Sequence, residues 1–214
     1  MDLPARIVVL GIGNLLWADE GFGVRAVEAL QRDYEFAEHV ELIDGGTQGL
    51  YLIQHVQAAD ALLIFDAIDY GHPPGSLAVL RDDEVPRFLG VRKMSLHQTG
   101  FQEVLLLARL TGRFPARLEL IGCQPEAIDD YGGSLRPSVR SALPEALRLA
   151  LGTLSAWGAA PRPRATPLAA HAAITLAELD IARYEAGRPG PGEACRVGDE
   201  RFLAGAASFA ASSD

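Results

Sequence analysis

Arg6–Val24 reads RIVVLGIGNLLWADEGFGV, and the order of residue types in it decides the fold. Arg6 to Leu10 is a short, β-branched apolar run ending at Gly11, which predicts a buried parallel strand. Gly11-Ile12-Gly13-Asn14 forms the turn. From Gly23 to Tyr34, Val24, Val27 and Leu30 recur at helical spacing. Asp19 and Glu20 stand just before that helix, where carboxylates favour its positive end.

The alternation continues down the chain. Val40 to Asp44 is a second strand, stopped by Gly45-Gly46-Thr47, and Leu50 to Val56 is helical. Ala61 to Asp66 is a third strand, and Ser76 to Arg81 a fourth, introduced by the turn Pro73-Pro74-Gly75. Gly100 to Thr111 is an amphipathic helix, Arg117 to Cys123 the last strand, and Ser138 to Ala156 helical, with Pro144 kinking it or starting a new helix. Strands alternating with helices imply an α/β sheet covered on both faces, and such sheets bind ligands beyond the carboxyl ends of their strands. The composition changes at Ala159. Residues 1–158 read as the folded domain, and 159–214 as a linker at Pro161-Arg162-Pro163-Arg164, a short helix within His171 to Ala186, and a disordered tail from Gly187.

The chain of 214 residues is 49% hydrophobic and 22% charged, ordinary for one globular domain with a full core. Its net charge of −9 excludes a basic nucleic-acid face. Ile7 to Leu16 is too short, and preceded by Asp2 rather than a basic flank, to read as a signal peptide. No apolar run reaches the roughly 18 residues of a membrane span. The two cysteines, Cys123 and Cys195, make no disulfide framework, and a reducing cytoplasm fits.

Several constellations could carry chemistry. Gly11-Ile12-Gly13 begins like a dinucleotide fingerprint, but Leu16 stands where Gly or Ala is wanted, so a tight βα turn is the stronger reading. Glu20, Asp66 and His97 are scattered in sequence. Asp66 ends an apolar strand, Glu20 lies between the first strand and helix, and His97 lies in a connection just before a helix. By the strand-end rule all three can meet at one edge of the sheet, where two carboxylates and an imidazole suit a divalent metal and leave positions open. The bland alternatives are a helix-end carboxylate, a cap and a surface histidine. Asp44-Gly45-Gly46-Thr47 looks superficially like an aspartic-protease loop, yet only one such loop occurs, and a glycine turn after a strand is the stronger reading of the glycines. There is no H-E-x-x-H and no G-x-S-x-G, and Cys123 lies within an apolar strand as a packed thiol.

Taken in order, Val9-Leu10-Gly11-Ile12-Gly13-Asn14-Leu15-Leu16, Asp19-Glu20, Gly23-Val24, Asp44-Gly45-Gly46-Thr47, Asp66-Ala67, Pro74-Gly75, Ser95-Leu96-His97-Gln98 and Pro125-Glu126 resemble the maturation endopeptidases of [NiFe] hydrogenases over residues 6–155. The similarity is greatest to the branch serving membrane-bound uptake hydrogenases. The resemblance implies a twisted, mostly parallel sheet of five to six strands sandwiched between helices. It implies an aspartic-type endopeptidase that removes the carboxyl-terminal extension of the nickel-loaded large subunit. The nickel belongs to that substrate and would be contacted by Glu20, Asp66 and His97. Gly45, Gly46 and Thr47 would meet the peptide, with Asp44 as general base or nickel activating the water. The expected partner is the large-subunit precursor, with neither nucleic acid nor membrane insertion, in the cytoplasm. Two rivals stay open: a non-proteolytic chaperone for the same precursor, and a nucleotide-binding oxidoreductase with Asp44 on a ribose.

Overall fold

A computed structural model describes residues 5–89, 96–169 and 172–188, with the backbone alone for 87–89 and 96–99. Strand β1 (Ile7–Ile12) is buried along its whole length, as expected of a strand paired on both edges and covered on both faces. It runs parallel to β3 (Val40–Gly46) on one side and β4 (Ala61–Ala67) on the other. Strand β4 pairs parallel with β6 (Arg117–Cys123), which pairs antiparallel with β5 (Leu77–Arg81). The result is a five-stranded sheet in the order β3-β1-β4-β6-β5. Only β5 is reversed, because the link from Ala67 to Leu77 is too short for a crossover helix.

The pleat sorts the side chains into two apolar layers. Ile7 and Val9 of β1, with Leu63 and Phe65 of β4, face α1 (Phe22–Asp33) and α5 (Pro137–Ala156). Val8 and Leu10, with Leu62 and Ile64, face α2 (Ile53–Ala58), α3 (Glu84–Leu89) and α4 (Leu96–Leu110). Helix α3 and the short strands β2 (Tyr34–Glu35) and β7 (Arg162–Pro163) are elements that the sequence reading lacks. Among the described residues, no helix is long and apolar enough to cross a membrane.

Three local expectations change. Helix α4 starts at Leu96, so the backbone of His97 lies in its first turn rather than in a connection. Pro144 neither ends nor restarts a helix: α5 runs through it, with Pro137 in its first turn. Leu50 to Val56 divides into a 3-10 turn, Gly49–Leu52, followed by α2.

The segment read as a linker is built into the fold. Its β7 (Arg162–Pro163) pairs antiparallel with β2 (Tyr34–Glu35), and Ala159 and Ile174 join the α1 and α5 layer. The single helix expected within His171 to Ala186 is instead a 3-10 turn, Ala177–Leu179, and α6 (Ile181–Ala186). Asp180 separates them and caps α6 by accepting from the Ala182 and Arg183 amides. The tail reading beyond 188, with Cys195, falls outside the described residues.

Candidate functional site

Two glycines bring the first helix onto the strand ends. A Cβ on Gly23 would stand 2.2 Å from the Ile12 carbonyl oxygen and 2.3 Å from that of Phe65, and one on Gly11 would stand 2.4 Å from the Gly23 carbonyl oxygen. The amino end of α1 therefore lies directly on the backbones of β1 and β4. The 3-10 turn before it, Ala18–Gly21, packs against β4, which brings Glu20 beside the strand that carries Asp66. Glu20 is half-buried, and burial pushes its carboxyl up to about 6.

The turn is held from within and from outside. Asn14 accepts from the Leu16 amide at 3.0 Å, and Ala18 adopts φ 43°, a left-handed conformation that costs a non-glycine residue energy. A Cβ on Gly13 would stand 1.8 Å from the Glu20 carbonyl oxygen. The approach that a dinucleotide fingerprint reserves for pyrophosphate is thus taken by the chain itself, so the glycines serve a tight turn. Asp19 is fully buried and does not serve the helix end. Its carboxylate accepts from the amides of Glu126 and Ala127, each at 2.8 Å, and of Arg136 at 2.7 Å. The Trp17 ring meets Tyr131 edge-on, with centroids 5.3 Å apart. Asp19 thereby ties the Glu20 turn to residues 126–136, a role that local sequence carries no signal for.

Asp66 is 3% exposed. Phe65 faces the α1 layer, so the pleat turns Asp66 to the α4 side. Its register partner on β6 is Gly122, where a Cβ would stand 1.9 Å from the Tyr70 hydroxyl oxygen. The Tyr70 phenol thus lies over Gly122 next to Asp66, and burial, then the Asp66 charge, push its pKa well above the usual phenol range. Gln124 holds this stretch in place by accepting from the Tyr70 amide at 2.7 Å and the His72 amide at 3.2 Å. Tyr70 and Gln124 are site residues that sequence reasoning missed.

The amino-terminal part of α4 packs on the turn after β3, at the carboxyl ends of the strands. A Cβ on Gly100 would stand 3.4 Å from the Cα of Gly49, in the turn that follows β3. The elements bearing Glu20, Asp66 and His97 thus end at one edge, and the His97 side chain lies outside the described ones. Among the described residues no group of three or more His, Cys, Asp or Glu stands close enough to hold a metal.

Asp44 occupies the other face. It stands in register with Gly11 and Phe65, whose Cβ direction is toward α1. Burial raises its pKa, the Glu28 carboxylate adds to the rise, and the Gly46 amide and the Arg25 guanidinium oppose it. One strand separates β3 from β4, so the Asp44 and Asp66 backbones lie about 10 Å apart. Gly45 and Gly46 have structural reasons to be glycine. A Cβ on Gly45 would stand 3.0 Å from the Gly11 carbonyl oxygen, and Gly46 has φ 46°. Thr47 is exposed and free of that constraint. Cys123 is a buried thiol, pushed up to about 12 by burial and then by Asp19, which suits packing rather than attack.

A family model described as hydrogenase maturation protease matches residues 24–153. The hydrogenase expression/formation protein HoxM of Cupriavidus necator is 61% identical over 197 residues, covering 92% of this chain and 98% of that protein. That match runs through residues 159–188. The hydrogenase 2 maturation protease of Escherichia coli is 43% identical over 160 residues, covering 74% of this chain and 96% of that protein. Among solved structures, the hydrogenase maturating endopeptidase HybD from E. coli has a TM-score of 0.71 at 42% identity, covering 74% of this chain and 98% of that one.

Proposed function

Because this chain belongs to the hydrogenase maturation protease family, we propose that it cuts the carboxyl-terminal extension from a nickel-loaded [NiFe] hydrogenase large subunit. Glu20, Asp66 and His97 grip the nickel that the substrate already carries. The observation that supports this most is the Ala18–Gly21 turn lying against β4, which sets one half-buried and one buried carboxylate at the strand ends. Carboxylates are harder and more exchangeable nickel ligands than the thiolates of the substrate, so the ion is read without being extracted. A precursor without nickel lacks the anchor, and positioning alone is worth about 7 kcal/mol or more in favourable cases.

The bond is hydrolysed by water. Nickel polarises the carbonyl or the water, or Asp44 takes the proton as a general base, which would make the enzyme aspartic-type. An extended peptide advances about 3.3 Å per residue, so about three residues span the backbones of Asp66 and Asp44, and a peptide gripped near Asp66 must cross the strand ends to meet the Asp44 carboxylate on the other face. Such a peptide passes Thr47, with Gly45 and Gly46 shaping the turn. The work belongs to a reducing cytoplasm, where a chain with a free buried thiol and nickel-bound substrate thiolates both persist.

The test is incubation of nickel-loaded and nickel-free precursor with the protein and with Asp66→Asn and Glu20→Gln, read by mass spectrometry. The expected result is loss of the extension from loaded precursor only, with cleavage by each folded variant down by at least about 100-fold. An intact precursor that remains bound to the wild-type protein would identify an escort instead of a protease. Normal cleavage by a folded variant would remove that residue from the mechanism.

A further inference from the structure

Residues 159–169 and 172–188 pack back onto α1, and the second stretch ends beside the 126–136 loop that binds the Glu20 turn. Arg164 donates to the Gln31 carbonyl at 3.0 Å, and the Ile174 amide donates to the Gln31 side chain at 2.8 Å. The Thr175 hydroxyl bonds to Glu28. Farther along, the Leu179 carbonyl accepts from Arg25 at 2.6 Å, and the Tyr184 ring lies 5.8 Å from that guanidinium. Arg25 is 5% exposed and also pairs with Glu28 at 2.8 Å. At the end of the segment, Glu185 accepts from the Ser134 hydroxyl at 2.6 Å and pairs with Arg140. Arg188 and Arg136 each reach Asp130 at 3.0 Å.

Ser134, Asp130 and Arg136 belong to residues 126–136, whose amides at 126, 127 and 136 bind Asp19, and Arg140 follows in α5. A continuous set of polar contacts therefore leads from α6 through Ser134 and Asp130 to Asp19, the neighbour of Glu20. Ion pairs that are even partly exposed add little to stability, so their ordering of the loop is the larger effect.

We propose that residues 172–188 form a positioning strap, which fixes the Glu20 turn through the 126–136 loop. Its effect on cleavage rests on the function proposed above; its hold on the turn does not. The catalytic groups stay where they are, and the strap removes their freedom to shift.

The test uses the full chain carrying Glu185→Ala with Arg188→Ala, compared with Glu185→Gln, which keeps the acceptor for Ser134 and Arg140. Hydrogen exchange is read at the amides of Glu126, Ala127 and Arg136. Steady-state cleavage of nickel-loaded precursor is read in parallel. In the double variant the three amides exchange about tenfold faster, while β1 and β4 keep their protection. KM rises about tenfold with kcat nearly unchanged, because a loosened turn grips the substrate less well. Glu185→Gln restores both. Unchanged exchange at the three amides in the double variant overturns the proposal, as does wild-type KM with lost protection. Should the wild-type protein leave every precursor uncut, the functional reading fails while the exchange result still decides whether the strap holds the turn.

Discussion

Gly23→Ala probes how near α1 must lie to the strand ends. The added methyl would sit 2.2 Å from the Ile12 carbonyl oxygen and 2.3 Å from that of Phe65, where ordinary contact begins near 3.4 Å. Both obstacles are backbone atoms within the paired strands, so the helix must retreat by about 1 Å. Overpacking of this kind costs about 1–3 kcal/mol, and the better helix propensity of alanine, about 1 kcal/mol, offsets part of it. Each kcal/mol lowers Tm by about 2–4 °C for a chain of this size. The larger effect is on catalysis. The Glu20 turn is joined to the end of α1 that moves, and a misplacement of about 1 Å can cost about 100-fold in rate. Gly152→Ala is the control. It lies exposed in α5, with nothing within 4 Å of its added Cβ, and should gain about 0.5–1 kcal/mol with cleavage unchanged. Urea unfolding and precursor cleavage measure both terms. A Gly23→Ala protein with wild-type stability and wild-type cleavage would refute the close approach and the dependence of Glu20 on it.

Three further outcomes can be measured. Asp44→Asn should lower kcat by at least about 100-fold with KM retained if that carboxylate takes the proton; an unchanged kcat dismisses the base and leaves nickel to activate the water. Asp19→Asn leaves one oxygen for amide donors that now use two, at a cost of about 1–3 kcal/mol in unfolding experiments, and wild-type stability would deny that Asp19 holds the loop. Cys123 is pushed from 9.0 to about 12 by folding, so the unfolded chain loses that proton first as pH rises. Stability from this group is intact below pH 9.0 and is lost as pH climbs toward about 12, by about 1.4 kcal/mol per unit, and Cys123→Ala should remove that slope from urea midpoints measured across the range.

The fold was legible because its strands are short apolar runs separated by glycine-marked turns, as at Arg6 to Gly11 and Ala61 to Asp66. The edge that gathers Glu20, Asp66 and the amino-terminal part of α4 follows from the same alternation, since parallel strands deliver their ends to one side. What could not be read depends on contacts distant in sequence. Asp19 looked like a partner for the helix end, but its bonds go to amides more than a hundred residues away. The phenol of Tyr70 lies beside Asp66 only because Gly122, on another strand, leaves room. Pro161 to Arg164 has the composition of a linker, yet it pairs with a two-residue strand that the sequence did not signal. The opposite facing of Asp44 and Asp66 was implicit in the pleat, but it needed the register between β3, β1 and β4 to be known.

That opposite facing has a consequence for how the molecule tolerates change. Asp66 takes its aim from the layer beneath α4, and Asp44 takes its own from the layer shared by α1 and α5. A volume change absorbed on one side shifts one acid and spares the other. Substitutions that spoil hydrolysis should therefore sort into two groups of suppressors, each confined to its own side, with β1 as the wall between them.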